Sequence, residues 1–221
     1  MRSADGTLRD NVKETNIKKK DITISKGRLE SIIHQYAYGL QRIRYRNSKR
    51  FAQGCTPSHG YQEEYFGYIP LSYTISTLRL FEHVYYYLHK KYHCKVLTFC
   101  DAGCGVGNIM LLAENAGFSV YGVEIDKSTA RLAQCIIGAD NTIKIENIIK
   151  HDFSKYDIVY YYCPIRKRSL EEKFEKHLCD SLHVGGCVIP VGSIRVITDD
   201  KRFMRVNLGD GIGSIFEKSL K

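Results

Sequence analysis

Residues 99–126 read FCDAGCGVGNIMLLAENAGFSVYGVEID, and this stretch decides the fold. An apolar run ending at Asp101 leads into three closely spaced glycines, Gly103, Gly105 and Gly107, after which the apolar residues take helical spacing. A second apolar run ends at Glu124. Because glycine lets a ligand approach the backbone closely, this order predicts the cofactor-binding turn of a parallel α/β sheet.

From Cys94 onward, short apolar runs alternate with helical patterns, which predicts a mostly parallel sheet with helices on both faces. Strands are expected at 95–101, 119–124, 145–149, 157–162 and 187–191, and helices near 107–116, 127–137 and 169–183. The stretch from Arg195 has no helix pattern and predicts two further strands around a Gly-Asp-Gly turn, antiparallel at one edge. The expected fold is a doubly wound, Rossmann-like α/β sheet of seven strands.

The residues before the sheet divide into two parts. Residues 1–25 are polar and contain a triple-lysine run, so they are expected to form a mobile basic arm. Residues 26–93 predict a helical extension, with one helix near 27–46, a loop over 52–74 and a second helix over 75–92. Residues 94–221 are expected to form the sheet domain.

The basic excess lies almost entirely in the N-terminal part of the chain. Residues 1–60 hold 13 Lys and Arg against 5 Asp and Glu, and residues 61–221 hold 20 against 19, which together give the net charge of +9. Five of the cations follow the first predicted helix with Tyr45 and Phe51 among them: Arg42, Arg44, Arg46, Lys49 and Arg50. They are candidates for contacts with the phosphates of a nucleic acid, or they form a solvated face that complements the helix dipole.

Composition narrows the setting. No apolar run approaches the roughly 20 residues needed to span a bilayer, and the N-terminal stretch has no hydrophobic segment typical of a secretory signal. The 8 cysteines lack paired spacing, which indicates free thiols, and we expect a cytoplasmic or nuclear protein, with cytoplasmic favoured. Cys100 and Cys104 straddle the glycine loop without further ligands nearby, so no metal site is expected.

The spacing of the glycines identifies the type of cofactor loop. A dinucleotide fingerprint is G-x-G-x-x-G, but here the pattern is G-x-G-x-G, Asn108 takes the place of the last glycine, and no Walker lysine follows. This pattern after an acidic residue resembles the first motif of the class I S-adenosylmethionine-dependent methyltransferases. Further matches are Glu124, Asp152 in IIKHDF, the run DIVYYYCPI over 157–165, and LHVGGCVIPVG over 182–192.

The resemblance implies S-adenosyl-L-methionine as the cofactor and assigns roles to individual residues. Glu124 would accept both ribose hydroxyls, with Ile125 against the adenine. Asp152 would accept from the adenine amino group beside Phe153. The full predicted cofactor set is Asp101, Gly103, Cys104, Gly105, Gly107, Glu124, Ile125, Asp152 and Phe153. In this superfamily the segment before the first strand commonly covers the cofactor. Residues 26–93 are therefore also expected to include a cofactor-covering loop.

No catalytic group is identified by its motif. Enzymes that methylate amino groups of adenine or glutamine carry an Asn, Asp or Ser followed by two prolines and an aromatic residue, but Tyr162, Cys163, Pro164 and Ile165 stand there, so one proline remains and the hydrogen-bond acceptor is missing. Cytosine C5 enzymes need a cysteine after a proline, whereas Cys163 precedes Pro164. Tyr160 to Tyr162 alternate across the sheet, and Tyr162 is the candidate for lining the methyl site.

Several functions remain open on the sequence alone. The methyl acceptor is RNA or another nucleic acid, a protein or a small molecule. TIS at 74–76 and GGCVIPVG at 185–192 resemble segments of the protein L-isoaspartate methyltransferases, which keeps carboxyl methylation as an alternative. A catalytically silent cofactor-binding partner subunit, or a different nucleotide-binding sheet whose glycines only form turns, is also compatible with these residues.

Overall fold

The structure is a computed structural model that describes residues 13–14, 65–66, 69–92, 96–137, 142–192, 194–209 and 211–219. Its strands are β1 Lys13–Glu14, β2 Tyr65–Phe66, β3 Ile69–Pro70, β4 Thr98–Ala102, β5 Ser119–Glu124, β6 Ile143–Ile145, β7 Ile158–Tyr162, β8 Cys187–Val191, β9 Phe203–Asn207 and β10 Ser214–Lys218. Its helices are α1 Leu71–Tyr92, α2 Asn108–Ala116, α3 Lys127–Ile137, α4 Arg168–Ser181 and α5 Val196–Asp199.

Seven of these strands, β4 to β10, form the predicted sheet. The order across the sheet is β9, β10, β8, β7, β4, β5, β6, and β1 pairs in parallel with the outer edge of β9. Strands β4 to β8 are parallel, and β10 lies antiparallel between β8 and β9. The doubly wound, mostly parallel fold expected from the sequence is confirmed. A separate pair, β2 with β3, precedes α1.

Helices cover the sheet on both faces because alternate residues of its strands point to opposite sides. On one face, Phe81 of α1 contacts Phe99 and Tyr160 edge-on, with ring centroids 5.0 and 5.6 Å apart. On the other face, Tyr161 packs edge-on against Phe174 of α4 at 5.2 Å. Successive tyrosines of β7 therefore contribute to two cores, and burying each ring stabilises the sheet by about 2–3 kcal/mol.

Among the elements whose bounds differ from the prediction, α1 and β6 differ most. Helix α1 starts at Leu71, within the predicted loop, directly after Pro70. Proline suits a helix start because its missing N–H would have no intrahelical acceptor there. The third strand was predicted at 145–149 but occupies Ile143–Ile145, because the Asn147 side chain accepts from Ile149 N at 3.0 Å and turns the chain.

The expectation that no helix follows Arg195 was wrong. Residues Val196–Asp199 form one turn, α5, whose start is held by the Glu175 side chain of α4. Glu175 accepts from the backbone N–H of Arg195 and Val196 at 3.1 and 2.6 Å. This cap comes from a distant part of the chain, so the local sequence does not reveal it.

The predicted arm, apart from Lys13–Glu14, and the predicted helix near 27–46 lie outside the described residues, as do Arg42, Arg44, Arg46, Lys49 and Arg50. Among the helices that are described, none has the length and apolar character required to cross a bilayer.

Candidate functional site

The strand order reverses between β4 and β7, and this reversal locates the candidate site. Chain connections leave β4 toward β5 on one side and β7 toward β8 on the other. In open α/β sheets, ligands bind beyond the carboxyl ends of the strands at this switch point. Here the glycine loop follows β4, and the segment from Cys163 to Lys167 follows β7.

The glycine loop is anchored beneath the switch point by backbone hydrogen bonds. Gly103 N and Cys104 N both donate to Val123 O of β5, at 2.8 and 3.1 Å. Gly103, Gly105 and Gly107 have φ values of 88°, 53° and 85°, which side chains rarely adopt. The Cys104 side chain is buried below the loop, 3% exposed. The loop therefore turns its cysteine inward, while Gly103 is exposed, Gly105 is half-buried and Gly107 is buried against α3.

Gly105 faces open space, and Glu124 holds it in place. A Cβ atom added to Gly105 would meet no described atom within 4 Å. Gly105 N donates to Glu124 Oε2 at 3.0 Å, and Asp126 N donates to Glu124 Oε1 at 2.9 Å. The carboxylate thus connects the glycine loop to the turn after β5, next to the open side of Gly105.

Asp101 lies at the end of β4 and is 2% exposed. Burial, together with the nearby negative charge of Glu124, raises the pKa of its carboxyl group to about 8. Asp101 therefore retains a proton at neutral pH in the protein without a bound cation. A positively charged ligand beside it would favour the ionised form.

Asp101 should make stability depend on pH. The Asp101 carboxyl group loses its proton above about pH 4 in the unfolded chain but only near pH 8 in the folded protein. Its contribution to stability is therefore fully present below about pH 4 and is lost as the pH rises to about 8. Between these limits the free energy of unfolding should fall by about 1.4 kcal/mol per pH unit. Asp101→Asn should remove that decrease in urea unfolding measured at pH 5 and pH 8. Parallel pH profiles for the variant and the wild type would contradict the assignment.

The turn after β5 places the predicted residue Ile125 at the surface, next to Asp126. Ile125 is 67% exposed, as a flat apolar contact for a bound ring requires. Asp126 Oδ1 accepts from Thr129 N at 2.8 Å and from the Ser128 hydroxyl at 2.6 Å, which lowers the pKa of Asp126 to about 2. Asp126 thus caps the start of α3 and fixes the turn that holds Ile125 at the surface.

The segment after β6 separates its two predicted residues. Asp152 is exposed, and hydrogen bonds from the side chain and backbone of Ser154 lower its pKa. The Phe153 ring is fully buried and contacts Phe174 edge-on, with centroids 6.1 Å apart. The structure thus places Asp152 at the surface and the Phe153 side chain in the core. Their roles toward a cofactor stay predictions.

The end of β7 carries an exposed ring and a strained turn. Tyr162 is 63% exposed, whereas Tyr160 and Tyr161 are buried. Cys163 follows with a φ of 39°, which is uncommon for a residue with a side chain and often marks functional turns. Its backbone N donates to Val191 O of β8 at 3.2 Å. The turn is thereby held against the end of the neighbouring strand.

Two features of the site had no clear signal in the sequence. A Cβ atom on Gly103 would lie 2.9 Å from Pro164 Cβ, so the loops after β4 and β7 touch. Buried Glu175 accepts from the Tyr161 hydroxyl at 2.7 Å as well as from the start of α5. The sequence signal for Glu175 was its position on the apolar face of the predicted helix, where a carboxylate needs hydrogen-bond donors.

Comparison with known proteins gave one curated relative and many solved structures, and no family model matches. The chain is 33% identical over 103 residues to the type II methyltransferase M.VspI of Vibrio sp. (strain 343). The match covers 42% of this chain and 25% of the relative, so the chain spans about a quarter of that protein's length.

The solved structures resemble the chain more distantly. Magnesium protoporphyrin IX methyltransferase ChlM from Synechocystis PCC 6803, solved with bound SAM, is 17% identical with a TM-score of 0.46 and covers 89% of this chain and 96% of its own. The PH0226 protein from Pyrococcus horikoshii OT3 is 20% identical with a TM-score of 0.40, covering 57% of this chain and 62% of its own.

Proposed function

We propose that this chain, a member of the class I S-adenosylmethionine-dependent methyltransferase superfamily, binds S-adenosylmethionine at the glycine loop and supports methyl transfer there. The superfamily assignment made from the glycine spacing agrees with the local identity to M.VspI and with the strand order of the sheet. The observation that carries the proposal is the open space over Gly105 beside the Glu124 carboxylate.

The residues around this space fit the proposed cofactor. Glu124 would accept hydrogen bonds from the ribose, Ile125 would contact the adenine face, and exposed Asp152 would accept from the adenine amino group. Buried Asp101 lies below the loop, where its ionised form would favour the positive charges of the ligand. S-adenosylmethionine itself supplies an activated methyl group, so the protein contributes mainly placement of the acceptor.

Tyr162 is the residue that we propose to line the methyl site. It ends β7 at the switch point, its side chain is exposed, and the following turn touches the glycine loop through Pro164. A hydroxyl and an aromatic face at this place can orient an acceptor by hydrogen bonding or stacking. The chain's own contribution is thus positional, and no acid or base is assigned.

For the acceptor we favour a nucleic acid, RNA ahead of DNA. Support comes from the N-terminal cations Arg42, Arg44, Arg46, Lys49 and Arg50 with their aromatic neighbours, and the named relative is a type II methyltransferase. A protein, including carboxyl methylation of isoaspartate type, or a small molecule is the alternative acceptor. A catalytically silent cofactor-binding partner subunit is the remaining alternative.

Methyl transfer from radiolabelled S-adenosylmethionine tests the proposal. The purified chain is incubated with separate cellular fractions of RNA, DNA, protein and small molecules, and a variant with Gly105→Val is the inactive control. Label in RNA or DNA would support the favoured acceptor, and label in protein alone would replace it. Cofactor binding without label in any fraction would favour the silent partner.

The N-terminal cations should contribute to RNA affinity through phosphate contacts. The logarithm of the affinity should then fall with the logarithm of salt concentration, with a slope of about −0.7 per contacted phosphate on a single strand. Replacing Arg42, Arg44 and Arg46 by glutamine should make the slope shallower by about 2. The matched control replaces Lys18, Lys19 and Lys20. Wild-type protein without salt-dependent RNA binding would leave the protein and small-molecule acceptors ahead.

A further inference from the structure

The charges at the carboxyl edge of the sheet are divided by sign. At the ends of β5 and β6 and in the segments that follow them, most charged residues are carboxylates: Glu124, Asp126, Glu146 and Asp152. Lys127 and Lys150 are cations in the same region. The segments that directly follow β7 and β8 carry cations and, within the described residues 162–170 and 194–198, no carboxylate. We call these cations the basic edge: Arg166, Lys167, Arg168 and Arg195. The two halves meet at the switch point.

Helix stability does not account for the basic edge. Arg166 and Lys167 immediately precede α4 and Arg168 begins it, where the helix dipole disfavours positive charge. The single acidic residue of the first turn, Glu171, is 6% exposed. A sequence selected only for a stable α4 would place carboxylates at this end of the helix.

Most of the basic edge also lacks partners within the part of the chain that the structure describes. Arg168 donates to Glu172 at 2.9 Å, but Arg166, Lys167 and Arg195 form no ion pair with another described residue, and their side chains are exposed. Arg202, by contrast, pairs with both Asp180 and Asp200. Arg166, Lys167 and Arg195 are therefore available to an external anion.

One cation from each segment of the basic edge lines a groove between α4 and α5. Arg168 and Arg195 line this open cavity of about 720 Å³ together with two further cations, Lys176 and Arg202, and four carboxylates: Glu172, Asp180, Asp199 and Asp200. Exposed Tyr162 lies at the start of the first segment, and Pro164 within it touches Gly103 of the glycine loop. A polyanion held by Arg166 and Lys167 would thus pass beside Tyr162 and the proposed methyl site.

We propose that the basic edge and Tyr162 form the binding surface for a single-stranded nucleic acid. Arg166, Lys167 and Arg195 hold backbone phosphates, and the Tyr162 ring stacks on a base. The carboxylates after β5 and β6 attract the cationic cofactor and repel the polyanion. The two ligands therefore bind on opposite sides of the switch point. This inference rests on the proposed function, since the strand must deliver its acceptor to the glycine loop.

Salt-dependent binding tests the surface. Fluorescence anisotropy is measured with single-stranded RNA, single-stranded DNA and duplex DNA of one sequence, each of about 20 nucleotides. Replacing Arg166, Lys167 and Arg195 by glutamine should weaken single-strand binding at least tenfold at low salt and make the log-log salt slope shallower by about 2. Tyr162→Ala should weaken binding about tenfold without changing the slope, because it removes stacking and no charge.

A matched control removes the same charge from the opposite edge of the sheet. Lys90, Lys155 and Lys201 are exposed and precede β4, β7 and β9, and their replacement by glutamine should leave the affinity and slope within about twofold of wild type. Titration with S-adenosylhomocysteine is run on every variant. Unchanged values would show that the basic-edge variant is folded and that its glycine loop is intact.

The outcomes separate this inference from the proposed function. Equal losses in the basic-edge variant and its control, binding confined to the duplex, or absence of wild-type binding to all three oligonucleotides would each overturn the surface. Selective loss with RNA, with DNA or with both would support it and identify the strand it accepts. Failure of wild-type protein to bind S-adenosylhomocysteine would overturn the cofactor assignment, whereas the surface is decided by the oligonucleotide affinities and their salt slopes.

Discussion

A Gly105→Val protein should fold but bind S-adenosylhomocysteine about 100-fold more weakly than wild type. The added Cβ atom meets no described atom within 4 Å, so the new methyl groups enter the space assigned to the cofactor. Such overpacking costs about 1–3 kcal/mol, and each 1.4 kcal/mol corresponds to a tenfold loss of affinity. Calorimetric titration measures the change, and circular dichroism checks the fold.

The matched control for this substitution is Gly211→Val. Gly211 has a similar left-handed φ of 72°, its added Cβ atom also meets no described atom, and it lies in the turn between β9 and β10. Both variants should lose about 1–2 kcal/mol of stability from the strained backbone. Only the Gly105 variant should lose binding. Normal affinity in that variant, or equal loss in both, would show that the cofactor does not approach this glycine.

Replacing Glu124 by alanine should weaken S-adenosylhomocysteine binding at least tenfold. The carboxylate would accept hydrogen bonds from the ribose, and charge-assisted bonds contribute roughly 1.5–3 kcal/mol each. It also accepts from Gly105 N and Asp126 N, so its loss additionally loosens the glycine loop. Glu114→Ala, an exposed change on α2, should leave the affinity unchanged.

A ligand analogue separates the two effects of Glu124. Removing one ribose hydroxyl, as in 2′-deoxy-S-adenosylhomocysteine, should weaken binding to wild type by several-fold. The Glu124→Ala variant should bind the natural and deoxy ligands alike, because the partner of that hydroxyl is gone. Undiminished discrimination by the variant would limit Glu124 to holding the loop.

The sequence predicted best those elements whose pattern is local. Strands 119–124 and 187–191 and helix 127–137 have the predicted bounds, since each combines a clear period with a turn residue at its ends. The glycine loop was predictable for the same reason. Its open space and the Glu124 hydrogen bond to Gly105 were not, because they depend on how two strands lie side by side.

Features that depend on distant residues were missed or misplaced. The one-turn helix α5 exists because Glu175 caps it from α4, and Phe153 is in the core because Phe174 lies opposite it. The net charge of the sequence did not reveal the basic edge, because the cations and carboxylates of residues 61–221 nearly cancel to +1. Folding brings the cations of two segments to one end of the sheet, although Arg168 and Arg195 are separated by more than 20 residues in the sequence.

The place of β10 between β8 and β9 has a consequence for synthesis on the ribosome. Both neighbours of β10 are made before it, so β8 and β9 emerge with facing edges that cannot yet pair with it. At about 5–20 residues per second, the interval from the end of β8 to the end of β10 lasts roughly a few seconds. During that interval the nascent sheet presents open hydrogen-bonding edges, which are sites of aggregation and of chaperone capture.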